Sequence, residues 1–160
     1  MPPSKRALFL DWGGTLALTK NNRTVVDGAG HPVLMPHVVA TLARERPRFD
    51  ACFILSNQAR VSKGEISEAE ILRRFAWANE QLGRPFTDSR LCPHADADGC
   101  ACRKPRPGMF LELARLYDVS LGASTHVGDS EKDRDAAAAA GVGTFVWAAD
   151  FFGWTTAPGA

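Results

Sequence analysis

Asp11, Ser56, Lys104, Asp129 and Asp133 are the residues of this chain whose types and settings suit chemistry on an anion. Asp11 closes the apolar run Ala7-Leu8-Phe9-Leu10 and leads into Trp12-Gly13-Gly14-Thr15. Ser56 closes Phe53-Ile54-Leu55 and leads into Asn57-Gln58, while Asp129 and Asp133 follow Val127-Gly128. Lys104 stands in Cys102-Arg103-Lys104-Pro105. An apolar run that ends on an acid or hydroxyl is how a buried parallel strand delivers a functional group to the carboxyl edge of a sheet, where ligands bind in open α/β folds. Singly, each has a plainer reading as a turn former, loop residue, helix cap or solvated charge. Their arrival in register at successive strand ends is what points to a site.

A second group has different chemistry. Cys92-Pro93-His94 and Cys100-Ala101-Cys102 form C-x-H-x5-C-x-C, three thiols and one imidazole between residues 92 and 102. That set suits a closed tetrahedral Zn2+, and a saturated site of this kind is structural. The stretch from Asp96 to Gly99 has no core of its own, so a metal would fold it. Thiols crowded in this way fit a metal site in a reducing cytoplasm better than disulfides. Cys52, inside an apolar run, reads as a small core residue, and His37 and His126 read as structural.

These residues need elements to hold them. Strand-like runs at residues 7–11, 51–55, 89–91, 125–128 and 144–147 alternate with helical patterns beginning near Pro36, Ser67, Pro107 and Lys132, which predicts an α/β parallel sheet. The second helix is the best marked: Ser67-Glu68-Ala69-Glu70 reads as a capping box, and Ile71, Phe75, Ala78 and Leu82 keep one apolar face. Ala136 to Ala140 reads as a helix stopped by Gly141. The polar stretch between Thr15 and Met35 reads as a loop or small hairpin over the site. Trp154, in the apolar tail, reads as packing. At 160 residues, the chain is expected to form one domain over 1–160 with a zinc-binding loop at 92–102. A net charge of +1 gives no reason to expect nucleic acid or a membrane as partner, and no run is long and apolar enough to span a bilayer. The expected state is a cytoplasmic monomer.

The stations resemble the motifs of the haloacid dehalogenase (HAD) superfamily of phosphotransferases, whose first motif is Asp-x-Asp-Gly-Thr. The resemblance covers nearly the whole chain and implies a Rossmann-like parallel sheet with helices on both faces and no large cap domain. It implies phosphomonoester hydrolysis with Asp11 as the nucleophile that becomes phosphorylated. It also implies Mg2+ held by Asp11, the backbone carbonyl of Gly13 and Asp129, with Asp133 in support behind them. The Ser56 hydroxyl and the amide after it would hold the phosphoryl oxygens, and Lys104 would neutralise the aspartyl phosphate. Cys-x-His…Cys-x-Cys-Arg-Lys-Pro resembles the capless, zinc-containing branch that includes heptose-bisphosphate and histidinol-phosphate phosphatases, and Arg103-Lys104-Pro105-Arg106-Pro107-Gly108-Met109 leans toward the first. By that resemblance Arg103 helps hold the distal part of a small phosphorylated sugar or polyol. The loop after Asn57-Gln58 departs from the branch, which usually has Ser-Gly and then Arg-Gly there; Arg60 and Lys63 remain candidates for binding a phosphate or carboxylate.

Gly13 is the sharpest departure, because the family's second aspartate, its general acid/base, is missing. The backbone carbonyl persists, so metal and substrate binding are expected to survive while turnover falls; a positioned acid/base contributes about 10²–10⁴-fold. Three readings stay open: a slow phosphatase, a phosphate-binding pseudoenzyme, or an enzyme in which Glu131, His31 or water carries the proton. A polynucleotide 3′-phosphatase shares similar motifs, but the neutral charge and lack of a basic, aromatic-rich groove count against it.

Overall fold

The computed structural model describes residues 5–155. In chain order the elements are β1 (Ala7–Leu10), β2 (Thr19–Lys20), β3 (Arg23–Thr24), α1 (Val38–Glu45), β4 (Ala51–Asn57), α2 (Glu68–Gln81), β5 (Asp88–Cys92), α3 (Gly108–Tyr117), β6 (Thr125–Gly128), α4 (Glu131–Ala140), β7 (Thr144–Trp147) and α5 (Ala148–Phe152). Five strands form one parallel sheet in the order β5-β4-β1-β6-β7. Strand β1 lies at the centre, paired with β4 on one side and β6 on the other. The chain runs outward from β1 through β4 to β5, then crosses to β6 and β7. The reversal leaves a crevice beside the carboxyl end of β1, where ligands bind in such sheets.

Every residue of β1 is buried, as its unbroken apolar run requires for a central strand covered on both faces. The pleat sends alternate side chains to opposite faces. Leu8 and Leu10 pack with Cys52, Ile54 and Val127 under α1, α2 and α5, contacting Val38, Leu42, Ile71, Phe75 and Phe152. Ala7 and Phe9 pack with Phe53 and Leu55 under α3 and α4, against Met109, Phe110, Leu113, Ala136 and Ala137. The alanines of α4 allow close approach: α4 buries Ala136, Ala137 and Ala140. Cys52 is a buried core thiol, as expected.

Several boundaries differ from the sequence reading. β4 runs two residues further than expected, to Asn57, because β5 begins at Asp88 and pairs Asn57 with Cys92. The stretch after Thr15 contains the antiparallel β2–β3 hairpin, turned at Asn21 and Asn22, both with positive φ. The box at Ser67 is only half formed. Its hydroxyl accepts from the Glu70 N–H at 3.1 Å, but the Glu70 carboxylate binds Arg73 and Arg74 instead. A reciprocal box sits instead at Ser130 and Asp133 of α4, and Gly141 ends that helix at φ 83°. Helix α5 went unread because five residues give too short a period. Trp154 packs as expected, stacked on Phe152 with its indole N–H donating to the Pro36 carbonyl at 2.7 Å.

Phe9 is the tie between the sheet and α3, with its ring 5.4 Å from Phe53 and 5.0 Å from Phe110. Phe9→Ala is expected to lower stability by about 3–5 kcal/mol in denaturant unfolding, since a packed centre cannot collapse on the cavity.

Candidate active site

Lys104 is buried to 2% exposure, and three oxygens surround its ammonium. Its Nζ donates to Asp11 Oδ1 at 2.9 Å, to Asp133 Oδ1 at 2.6 Å and to the Leu55 carbonyl at 3.0 Å. The strand ends make this convergence possible. Pairing of β1 with β6 sets Leu10 beside Val127, and the Asp11 N–H donates to the Val127 carbonyl at 3.0 Å. Asp11 and Asp129 therefore leave adjacent strands together.

The carboxylates are not equivalent. Burial pushes the Asp11 carboxyl well above the usual range, the charges of Asp133 and Asp129 add to the push, and Lys104 opposes it. Burial likewise raises Asp129. Burial would raise Asp133 too, but the Lys104 ammonium outweighs it and holds Asp133 well below the usual range. Asp133 Oδ2 accepts from the Asp129 N–H, the Ser130 N–H and the Ser130 hydroxyl at 3.0–3.1 Å. Both of its oxygens are thus engaged. Asp11 Oδ2 has no donor among the described residues and, like Asp129, remains open.

Two glycines make room for this. A Cβ on Gly14, whose φ is +77°, would stand 2.0 Å from Asp129 Oδ2, and one on Gly128 would stand 2.5 Å from Asp133 Cβ. Ligand-type oxygens of Asp11, Asp129 and Asp133 lie within 4.8 Å of one another. Two open carboxyls kept reluctant to ionise, beside hard oxygens, are a donor set that a divalent cation such as Mg2+ fits.

Asp11, Gly13, Ser56, Asn57, Arg60 and Lys63 line one open cleft of about 570 Å3, together with Arg103, Lys104, Asp129 and Asp133. Ser56 is buried, and its oxygen accepts from the Gln58 amide at 2.8 Å, which leaves its O–H free to donate. Asn57 also lines the cleft, and its side chain has a task apart from that of its backbone N–H. Its Nδ2 donates to the Lys104 carbonyl and its Oδ1 accepts the Lys104 N–H, both at 3.0 Å, so the side chain fixes the lysine's backbone. Arg103 donates to Asp96 at 3.0 Å and to the His94 carbonyl at 3.2 Å.

Neither proposed replacement for the acid at 13 lines the cleft. His31 stacks on Trp77 at 4.7 Å, and Glu131 is exposed at the start of α4. Gly13 itself has no Cβ to orient, and one built there would stand 3.0 Å from the Thr19 methyl.

The Cys92, His94, Cys100 and Cys102 donors also lie within 4.8 Å of one another. Cys92 Sγ is 3.6 Å from Cys100 Sγ, 3.5 Å from His94 Nδ1 and 3.0 Å from Cys102 Sγ, and His94 Nδ1 is 3.3 Å from Cys102 Sγ. Tetrahedral zinc with thiolate and imidazole ligands has edges of about 3.5–3.8 Å, so the donor set fits with slight expansion. Burial and the two neighbouring sulfurs push the Cys102 thiol up to about 12. The Cys100 thiol falls to about 6, where the Arg103 N–H and the other sulfurs overcome a burial penalty. Three sulfurs this close do not share negative charge without a cation.

A family model described as haloacid dehalogenase-like hydrolase matches residues 5–141. The chain belongs to the haloacid dehalogenase-like hydrolases. Two curated relatives are named D-glycero-beta-D-manno-heptose-1,7-bisphosphate 7-phosphatase. The one from Rhodopseudomonas palustris is 34% identical, with 89% of this chain and 83% of the relative covered. The one from Bordetella bronchiseptica is 37% identical, with 85% and 76% covered. The crystal structure of D,D-heptose 1,7-bisphosphate phosphatase from B. bronchiseptica, complexed with magnesium and phosphate, superposes with a TM-score of 0.76 at 29% identity, covering 87% of this chain and 78% of that one. This hydrolase is accordingly a phosphatase of the HAD family, with that family's sheet.

Sequence reasoning missed several cleft residues of this HAD hydrolase: Thr19, Arg23, Glu65, Arg74 and Lys132 all line the cleft. Arg74 sits three residues beyond Ile71 on α2 and carries no motif signal; Arg23 and Thr19 come from a hairpin whose direction the sequence does not fix. Also unread was the setting of His126, buried behind Asp133. Its Nδ1 meets the Phe9 carbonyl at 2.9 Å, while its Nε2, 3.8 Å from Asp133 Oδ1, has no hydrogen-bond partner among the described residues.

Lys104→Met keeps much of the side-chain volume but leaves Asp11 and Asp133 without their cation. It is expected to cost about 3–5 kcal/mol in denaturant unfolding at neutral pH, the range for breaking a buried ion pair. Part of the loss is expected to return as pH falls and the raised Asp11 carboxyl protonates.

Proposed function

We propose that this phosphatase hydrolyses a small phosphorylated sugar or polyol through a phospho-Asp11 intermediate, slowly, because no acid/base stands at position 13. The observation that carries the reading is the state of Asp11: one oxygen held by Lys104, the other open to the cleft beside Asp129. In this reading Asp11 Oδ2 attacks phosphorus, and the bond to the leaving oxygen breaks. The Ser56 hydroxyl, kept as a donor by Gln58, and the Asn57 N–H hold the phosphoryl oxygens. The Lys104 ammonium stays on Asp11 and offsets the charge of the aspartyl phosphate. Asp11, Asp129 and the carbonyl of Gly13 would hold Mg2+, which supplies charge neutralisation for an anionic nucleophile meeting an anionic phosphate. Asp133 orients Lys104 and the Asp129 backbone. Arg103, Arg60 and Lys63 face the remainder of the substrate. The relatives named for heptose bisphosphate support a sugar phosphate as the class.

Zn2+ at Cys92, His94, Cys100 and Cys102 would hold the loop that carries Arg103 and Lys104. Metal analysis of protein purified without chelator is expected to find about one zinc per chain. Cys100→Ser is expected to lower both zinc content and the melting temperature. Metal-free protein of full stability would exclude the structural zinc.

The Gly13 reading has a kinetic test. Attack on an activated phosphate ester needs little proton donation, so wild type is expected to favour p-nitrophenyl phosphate and to accumulate phosphoenzyme. Gly13→Asp asks the Thr19 methyl to give by a few tenths of an ångström, and Thr19→Ser removes that contact, so the paired change Gly13→Asp with Thr19→Ser is the better restoration. It is expected to raise turnover of alkyl phosphates about 10²-fold or more, with the single change giving less. Ordinary wild-type rates on a sugar phosphate, with no gain from the pair, would show that another group carries the proton. A phosphate-binding pseudoenzyme is the second reading, favoured by Gly13 alone; absence of turnover with intact phosphate binding would select it.

A further inference from the structure

Trp12 stands in the chain between the nucleophile and Gly13, and its side chain is buried to 1% exposure. A buried indole needs an acceptor for its N–H. Nε1 donates to Thr24 Oγ1 at 3.1 Å, and Thr24 belongs to β3, on the hairpin that lines the cleft. The ring is oriented from its other side, edge to face against Phe75 of α2, with centroids 4.8 Å apart and planes at 63°. A core residue steadied by α2 thus reaches out to a wall of the site.

The tie closes a ring of contacts. Thr24 lies opposite Thr19 across the hairpin, so the two side chains share one face. The Thr19 methyl in turn stands 3.0 Å from where a β-carbon on Gly13 would lie. The ring runs from Trp12 through Thr24 and Thr19 to Gly13, the residue next to Trp12. Among the described residues, no other side-chain hydrogen bond joins residues 19–24 to the rest of the fold. The Arg23–Glu65 ion pair at 3.6 Å is 60% and 38% exposed, and a pair so open to water contributes little. The side-chain anchorage of the hairpin therefore rests on one indole N–H.

We infer that Trp12 is a positioning residue: through Thr24 it holds the β2–β3 hairpin as the wall against which the leaving group of the phosphoester sits. This rests on the phosphoester reading of Asp11. Gly13 tells which part of the substrate the wall meets. The family's acid at that position protonates the leaving oxygen, and a β-carbon there would face Thr19. The hairpin therefore borders the leaving group, while the phosphoryl group is held from other strand ends by Ser56 and Lys104. A neutral hydrogen bond contributes a net factor of about two to ten in an opening equilibrium, so loss of this one N–H is enough to change how often the hairpin leaves its place.

The test reads the hairpin directly, on the intact chain with Mg2+ present. Trypsin needs an extended segment, so a cut after Lys20 or Arg23 requires the hairpin to open, whereas a cut after Arg73, within α2, reports general unfolding. Trp12→Phe keeps a ring and removes the N–H; Thr24→Val keeps the shape and removes the acceptor. Each is expected to speed hairpin cleavage about two- to tenfold, with cleavage in α2 unchanged. The double variant is expected to be no faster than the faster single one, because both act through one contact. Thr24→Ser, which keeps the hydroxyl, is expected to stay near wild type. Phenylphosphonate, which carries a ring in the leaving group's place and is not turned over, is expected to slow wild-type hairpin cleavage more than inorganic phosphate does, both at saturation. Wild-type cleavage rates in both single variants, additive effects in the double variant, or protection by phenylphosphonate no greater than by phosphate overturns the inference. Where Trp12→Phe also speeds cleavage in α2, the comparison of Thr24→Val with Thr24→Ser decides, since Thr24 lies outside the core. The phosphatase reading fails separately, on absence of p-nitrophenyl phosphate turnover, whatever trypsin does.

Discussion

One ammonium group buried to 2% exposure sets the terms for the rest of this structure. Lys104 stands between Asp11 and Asp133, and neither carboxylate is affordable at that depth without it. The lysine is costly in its turn, since three oxygens must be brought to it. β1 brings Asp11, α4 brings Asp133 through its own N-terminal box, and β4 brings the Leu55 carbonyl. Asn57, at the end of β4, grips the lysine's backbone on both its N–H and its carbonyl. The sheet order, with β1 between β4 and β6, is the arrangement that lets these groups meet.

The same constraint divides labour among three acids. Asp133 has given up both oxygens to internal donors and acts as structure. Asp11 and Asp129 keep open oxygens, and their raised carboxyls record the charge that a cation would satisfy. The glycines at 14 and 128 belong to this arrangement as much as the acids do, because a side chain at either would occupy the space the carboxylates use. Around this centre lies a cleft lined by Arg23, Arg60, Lys63, Arg74, Arg103 and Lys132, cations in excess of the carboxylates beside them.

The strand-end chemistry was legible because buried parallel strands are continuous apolar runs and their last residues face the crevice. Asp11, Ser56 and Asp129 could be placed from that rule alone. The Cys/His spacing was legible for a similar reason, since ligands close in sequence need little folding to meet. Arg74 and Arg23 were not legible. Their place in the cleft depends on the angle at which α2 crosses the sheet and on where a two-residue-strand hairpin folds back, and neither leaves a periodic trace. The grip of the Asn57 side chain on Lys104 was not legible either, because the two lie 47 positions apart. Helix α5 was too short to show a period, and Glu70 failed to close its box because two arginines on its own helix compete for it.

The methyl group of Thr19 gives the glycine at 13 a close neighbour across the cleft. A β-carbon at 13 would meet that methyl at 3.0 Å, so a carboxyl placed there asks the Thr19 side chain to give by a few tenths of an ångström. The hairpin, not the sheet, therefore sets how readily an acid could be received at the end of β1.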